Sequence, residues 1–263
     1  MSASRTTRGI GRLRFWTWLH RATAVGFFAL LCLASQPWFP WFRGSPTATR
    51  LMAVVPFMDP LAALEVFLAA RTLTWSMVLG VLPPLLIAAL CGRVFCGWLC
   101  PLGLVLELGD GLRVALQRVA WKFGWRFPRL AIPRSTKYFL LALALAMSAV
   151  ASVPVFTALS PINLTVLAFW GVPMLAVAVI GGIWVLEWFA PRAFCRSLCP
   201  LGALYALVGR VAPLRVRVRE EGQQLMCGQC TVRCPMGIQV MEQYVLAGES
   251  AIDDPECTRC GSC

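Results

Sequence analysis

Two stretches of the chain carry the same arrangement of thiols. They are Arg93-Val-Phe-Cys96-Gly-Trp-Leu-Cys100-Pro101-Leu-Gly103 and, 99 residues later, Arg192-Ala-Phe-Cys195-Arg-Ser-Leu-Cys199-Pro200-Leu-Gly202, identical at eight of eleven positions. Thiols at this spacing can ligate an iron–sulfur cluster, cycle through disulfides, bind a soft ion such as copper or zinc, or serve only as small apolar side chains. A reducing cytoplasm argues against permanent disulfides. The duplication, and the proline after each pair, argue against coincidence. Cys32 and Cys91 stand at no useful spacing and read as packing residues.

The tail holds a second set of thiols. From Glu220 onward it contains seven of the chain's twelve acidic residues and six of its twelve cysteines. A bacterial ferredoxin motif runs Cys-x2-Cys-x2-Cys-x3-Cys-Pro, its last cysteine serving the other cluster of the pair. Cys227-x2-Cys230-x3-Cys234-Pro235 matches the second to fourth positions, with Gln224 in the place of the first, and Cys257-x2-Cys260-x2-Cys263 opens a second motif. One [4Fe-4S] cluster thus finds its ligands in Cys234, Cys257, Cys260 and Cys263. Cys227 and Cys230 are the remainder of another site that is incomplete as written, which reads as a C-terminal truncation. A zinc ribbon on Cys227, Cys230, Cys257 and Cys260 competes, but it leaves Cys234-Pro235 and Cys263 without a use.

The elements that must position these thiols are apolar. With 59% hydrophobic and 14% charged residues, the chain is too apolar for a soluble domain of its 263 residues. Four segments, 21–42, 72–91, 138–159 and 164–188, reach the length of about 20 residues that a bilayer core requires. The second contains Pro83-Pro84, where a kink is expected. Twenty-one of the 24 Lys and Arg fall on one side of this arrangement, leaving Arg43, Arg50 and Arg71 for the other. The positive-inside rule therefore puts both termini and both Cys pairs in the cytoplasm and 36–71 and 152–163 outside. A signal-peptide reading of the first span would spoil that bias. The net charge of +12 reads as an orientation and lipid-contact signal, with no nucleic-acid pattern behind it.

The repeat extends past the cysteines. Asp59-Pro60 precedes the second span as Ser160-Pro161 precedes the fourth, each a helix cap followed by proline in the first turn. The expected fold is an all-α polytopic membrane protein of four transmembrane helices in two tandem hairpins, followed by a small α+β ferredoxin-like 4Fe-4S segment. Its expected divisions are a basic cytoplasmic stretch 1–20, a membrane domain 21–210 and an incomplete ferredoxin-type domain 220–263. A pseudo-twofold axis along the membrane normal would bring Cys96, Cys100, Cys195 and Cys199 together.

The order of Pro37-Trp38-Phe39, Asp59-Pro60, Phe95-Cys96-x3-Cys100-Pro101-Leu102, Ile132-Pro133-Arg134, Cys195-x3-Cys199-Pro200-Leu-Gly-Ala-Leu-Tyr205 and a ferredoxin tail resembles the NapH branch of the NapH/NosR/MauN-type membrane 4Fe-4S ferredoxins. The resemblance implies a quinol dehydrogenase component in the bacterial inner membrane, with cytoplasmic clusters on the cysteines named above. It also implies partners: the quinone pool, a soluble ferredoxin-type subunit and a c-type cytochrome leading to a periplasmic reductase. Quinol chemistry needs proton acceptors, for which Glu187, Glu107 and His20 are the candidates. The aromatic run from Trp38 to Phe42 reads as an interfacial belt. Two other readings stay open: a CcoG-like copper reductase or assembly factor, and a membrane anchor for a soluble ferredoxin.

Overall fold

The computed structural model describes residues 3–34, 42–45, 48–51, 55–122, 132–167, 174–218 and 228–263. Cys227, Gln224 and the aromatic residues 38–41 lie outside them. Helix α1 runs Ala3–Ala34, so the basic N-terminal stretch is continuous with the first apolar segment, and the helix ends before 42. Strands β1 (Phe42–Ser45), β2 (Ala48–Leu51) and β3 (Val55–Met58) then form an antiparallel sheet that the all-α expectation does not contain.

Helix α2 (Pro60–Ala70) starts where the Asp59-Pro60 pair says it should. The Asp59 carboxylate accepts from the Leu61 N–H at 3.1 Å, and the proline occupies the first turn, where its missing N–H costs nothing. Helix α3 (Trp75–Cys91) follows and runs unbroken through Pro83-Pro84. Helix α4 (Val94–Trp98), which carries Cys96, and the long α5 (Pro101–Lys122), which starts directly after Cys100, complete the first repeat.

The second repeat opens with α6 (Thr136–Ala151). The span expected at 138–159 is broken here. Ser152 adopts a left-handed conformation (φ 55°) and Pro154 follows, so the chain turns into α7 (Val155–Leu159). The α6 segment and residues Val155–Thr165 meet at 109°. Helix α8 (Pro161–Leu167) and helix α9 (Met174–Phe189) stand where a single helix over 164–188 is expected. Among the described residues no single helix is both long and apolar enough to cross a membrane. A π-helical turn over Phe194–Leu198 and helix α10 (Pro200–Val208) carry the second Cys pair. The tail is α+β, with β4 (Val216–Arg217) paired antiparallel to β5 (Ala251–Ile252) and a short α11 (Gln229–Arg233). Its core of Met236, Ile238, Val240 and Ile252 packs on Val216 and Val218, so the tail begins upstream of the expected boundary at 220.

One buried carboxylate fixes the break between α6 and α7. Glu65 on α2 is fully buried; its oxygens accept from the N–H groups of Phe156 (3.0 Å) and Thr157 (2.9 Å) and from the hydroxyls of Ser148 (3.2 Å) and Thr157 (2.6 Å). The open N–H groups at the start of α7 are thus capped by a residue some ninety positions away. Glu65→Ala leaves all four donors unsatisfied and should cost about 3 kcal/mol or more, while Glu65→Gln, which keeps one acceptor, should cost less. Thermal unfolding of the detergent-solubilised chain, followed by tryptophan fluorescence, measures both.

Candidate metal centres

Each Cys-Pro-Leu-Gly segment is a helix start. Cys199 caps α10, with Pro200 in the first turn and its sulfur accepting from the Gly202 N–H at 3.4 Å. Cys100 stands at the same place before α5, where the N–H groups of Leu102 and Gly103 favour its ionised form. A helix N-terminus supplies free N–H groups and the positive end of the peptide dipoles, so the motif places a sulfur where negative charge is stabilised.

The four paired cysteines converge as the repeat predicts. Cys100 and Cys199 lie in one buried core with Leu61, Leu102, Phe194 and Tyr205, and Cys96 and Cys195 pack against it. Burial, and then the nearby Cys96 and Cys199, push Cys100 up to about 12. Cys199 also rises to about 12 through burial, then through Cys96, and Cys195 stands well above the ordinary range through burial, Cys100 and Cys199. Burial raises Cys96 too, and the adjacent Arg93 opposes that rise. Without a cation these thiols hold their protons at neutral pH, and a metal centre would have to displace them. Asp59 is close enough to add its charge against Cys96 and Cys199, so the start of α2 faces the cysteines.

The tail forms a separate recess of about 360 Å³, including its open mouth, lined by Cys234, Cys257, Cys260 and Cys263 among apolar residues such as Met236, Ile238 and Ile252. These are the four thiols of the ferredoxin accounting. Cys263 rises to about 12 through burial and then through Cys260, Cys257 and Cys234. Cys230, which a zinc ribbon requires, is not among the lining residues. All eleven described cysteines are free thiols, and among the described residues no three His, Cys, Asp or Glu side chains are set to chelate a single metal ion. Four thiols around an apolar recess fit a group with several irons. At the paired motifs, the buried Arg93 Nε has no partner and adds the cation such an anionic group requires.

Glu256, directly before Cys257, joins the two sites. Its carboxylate takes a guanidinium N–H of Arg93, the ammonium of Lys137 and, at 3.0 Å, the Tyr138 hydroxyl; Arg93 and Lys137 are almost fully buried. Arg134 donates to the carbonyls of Met236 (3.0 Å) and Gly237 (2.7 Å), Trp98 donates to the Arg259 carbonyl (3.1 Å), and Arg259 donates to the Cys91 carbonyl. Gly97 lies so close to the tail that a Cβ there would stand 2.7 Å from the Thr258 carbonyl oxygen. Sequence reasoning missed Glu256, Lys137 and Glu65; the arginine repeated at the same position of both motifs was the available signal for Arg93.

The three proton-acceptor candidates all cluster around α5. His20 bonds the Gly97 carbonyl, its ring meets Trp98 edge-on at 5.6 Å, and it lies 4.0 Å from Glu107, which Arg21 holds at 2.7 Å. Glu187 accepts from the backbone N–H groups of Arg192 and, at 3.2 Å, Phe194. The Arg192 guanidinium turns instead to Asp110 (2.9 Å), and Arg93 is committed to the tail, so neither arginine side chain pairs with Glu187. Glu187, Asp110, Trp184, Trp188, Leu106 and Leu112 are among the residues lining a recess of about 320 Å³.

The family model described as a 4Fe-4S binding domain matches residues 73–120 and 162–219, so each matched segment contains one Cys pair. The ferredoxin-type protein NapH of Escherichia coli is 28% identical over 265 residues, covering 96% of this chain and 87% of that one. The methylamine utilization ferredoxin-type protein MauN of Methylobacillus flagellatus is 26% identical over 78% of this chain and 68% of its own length. A putative electron transport protein of E. coli, YccM, is 29% identical over 94% of this chain and 71% of its own. No solved structure matches.

Two tests follow from the docking contacts. Gly97→Ala drives a methyl group into the Thr258 carbonyl and should cost about 1–3 kcal/mol of docking, read as faster limited proteolysis within 228–263. Burial pushes Glu256 up, but Arg93 and Lys137 outweigh it and hold the carboxyl below its usual range. That contribution is present above about pH 4.5 and is lost as the pH falls through the depressed value. Tail protection against proteolysis should therefore drop on acidification in the native chain and depend much less on pH in Glu256→Gln.

Proposed function

The chain belongs to the NapH/MauN family of ferredoxin-type proteins, and from that premise we propose that it is the membrane-bound iron–sulfur component of a quinol dehydrogenase. One observation carries the reading: two sets of four thiols, one from the duplicated motifs and one from the tail, lie on either side of a single buried ion cluster. Cys234, Cys257, Cys260 and Cys263 would hold one [4Fe-4S] group, and Cys96, Cys100, Cys195 and Cys199 a second. When bound, such groups supply one-electron acceptors and donors. Cys227 and Cys230 would serve a further site only with ligands from elsewhere.

The remaining work falls to the protein's own residues. A hydroquinone gives up two electrons and two protons, and the recess beside α5 and α9 offers aromatic walls in Trp184 and Trp188 with two carboxylates, Glu187 and Asp110, at its edge. Both Arg192 and Glu187 act electrostatically on Cys195, so this recess adjoins the paired thiols. Glu107 and His20 extend the polar track along α5 towards α1. Arg93 and Lys137 orient the tail through Glu256.

A multi-pass position in the inner membrane, with both termini cytoplasmic, is supported by the distribution of basic residues and by outward apolar faces on several helices. Trp75 on α3, Val150 on α6 and Met174 on α9 are 76%, 85% and 90% exposed. Large apolar side chains exposed on this scale are suited to contact with lipid or a partner. A soluble ferredoxin-type subunit and a c-type cytochrome would take the electrons onward.

The test is anaerobic reduction in isolated membranes. A water-soluble quinol analogue should generate reduced-cluster EPR signals, and Glu187→Gln should slow their appearance by about tenfold or more with iron content unchanged. Clusters that dithionite reduces and quinol leaves oxidised would contradict the reading.

A further inference from the structure

The duplicated motifs put an arginine three residues before the first cysteine of each pair, yet the two arginines do different things. Arg192, in the second repeat, reaches sideways to Asp110. Arg93, in the first, points inward, and it is 1% exposed. One of its terminal nitrogens binds Glu256 of the tail, the other faces the Cys195 carbonyl at 3.5 Å, and its Nε is buried without a partner. It acts electrostatically on Cys96, Cys199 and Cys195. Gly202 of the opposite repeat makes room for it, because a Cβ there would lie 2.7 Å from Arg93 Nη2.

The charges around it do not balance. Glu256 brings one negative charge to two buried cations, Arg93 and Lys137. One positive charge is left over in a region closed to water, between the paired thiols and the residue preceding Cys257. Burying an uncompensated cation costs several kcal/mol, so the site is built for an anionic partner. The four paired thiols lie on one side of it, and on the other Glu256 links it to the residue directly before Cys257.

We propose that Arg93 is the shared counter-cation of both cysteine centres, a positioning residue that sets their reduction potentials together. This rests on the reading that both thiol sets hold clusters. Adding an electron to either centre adds negative charge, which a fixed buried cation favours in a medium of low dielectric. Arg93, in contact with both the repeats and the tail, thus ties the two potentials to one side chain. Arg192, paired with Asp110, has no such reach.

The test is an EPR-monitored redox titration of the full chain, anaerobically purified, as wild type, Arg93→Gln, Arg93→Lys and Glu256→Gln. Arg93→Gln should lower the reduced-to-oxidised ratio of both signals about tenfold at fixed ambient potential, which is about 59 mV for a one-electron couple. Glu256→Gln should move both the opposite way, because it removes the negative charge that offsets Arg93 and Lys137. Arg93→Lys keeps the charge and should leave both close to wild type. If Arg93→Gln fails to assemble clusters, the paired rise in Glu256→Gln carries the test alone. Movement of only one signal, or of neither, overturns the proposal. A wild-type chain without cluster signals would instead refute the cluster reading itself, before any variant is compared.

Discussion

Four thiolates around an iron–sulfur group carry net negative charge, and moving that charge into an apolar body is costly unless compensating charges and dipoles go with it. The paired motifs carry two features that such a group would need. Cys100 and Cys199 stand at helix starts, where backbone N–H groups face the sulfur, and Arg93 adds a buried guanidinium between the repeats. The rest of the architecture follows from placing those elements. Cys-Pro begins a helix in each repeat, Gly202 leaves room for Arg93, and Arg93 supplies the cation.

Internal symmetry builds the thiol quartet, and breaking it gives the quartet two unlike sides. The first repeat's arginine is committed to the tail through Glu256, and the second repeat's to Asp110 on α5. A recess with tryptophans and carboxylates lies beside α5 and α9, and the ferredoxin-like segment is held by Arg134, Lys137, Trp98 and Arg259. A perfectly symmetric pair of hairpins would present the same residues to both.

The parts of the structure legible in the sequence are those whose constraints are local or repeated. Ferredoxin spacing is a local pattern, and the tail recess gathers the four cysteines it names. Convergence of Cys96, Cys100, Cys195 and Cys199 follows from duplication, and the start of α2 from Asp59-Pro60. What resisted reading is fixed across long separations. Hydropathy treats 138–159 as one span because it weighs Ser152 and Pro154 lightly and has no knowledge of Glu65, whose carboxylate caps α7. Glu256 reads as one more acidic tail residue until Arg93 and Lys137, 163 and 119 positions away, meet it. The sheet over 42–58 has a proline at 56 and no clear alternation, so periodicity does not announce it.

The account stands most directly on cluster stoichiometry. Iron and acid-labile sulfide, counted in anaerobically purified protein alongside Mössbauer spectra, should give about eight of each per chain, two [4Fe-4S] groups, falling by about half when Cys199 is replaced by Ser. Colourless protein with no labile sulfide would contradict the account, and so would a count near four that Cys199→Ser leaves unchanged.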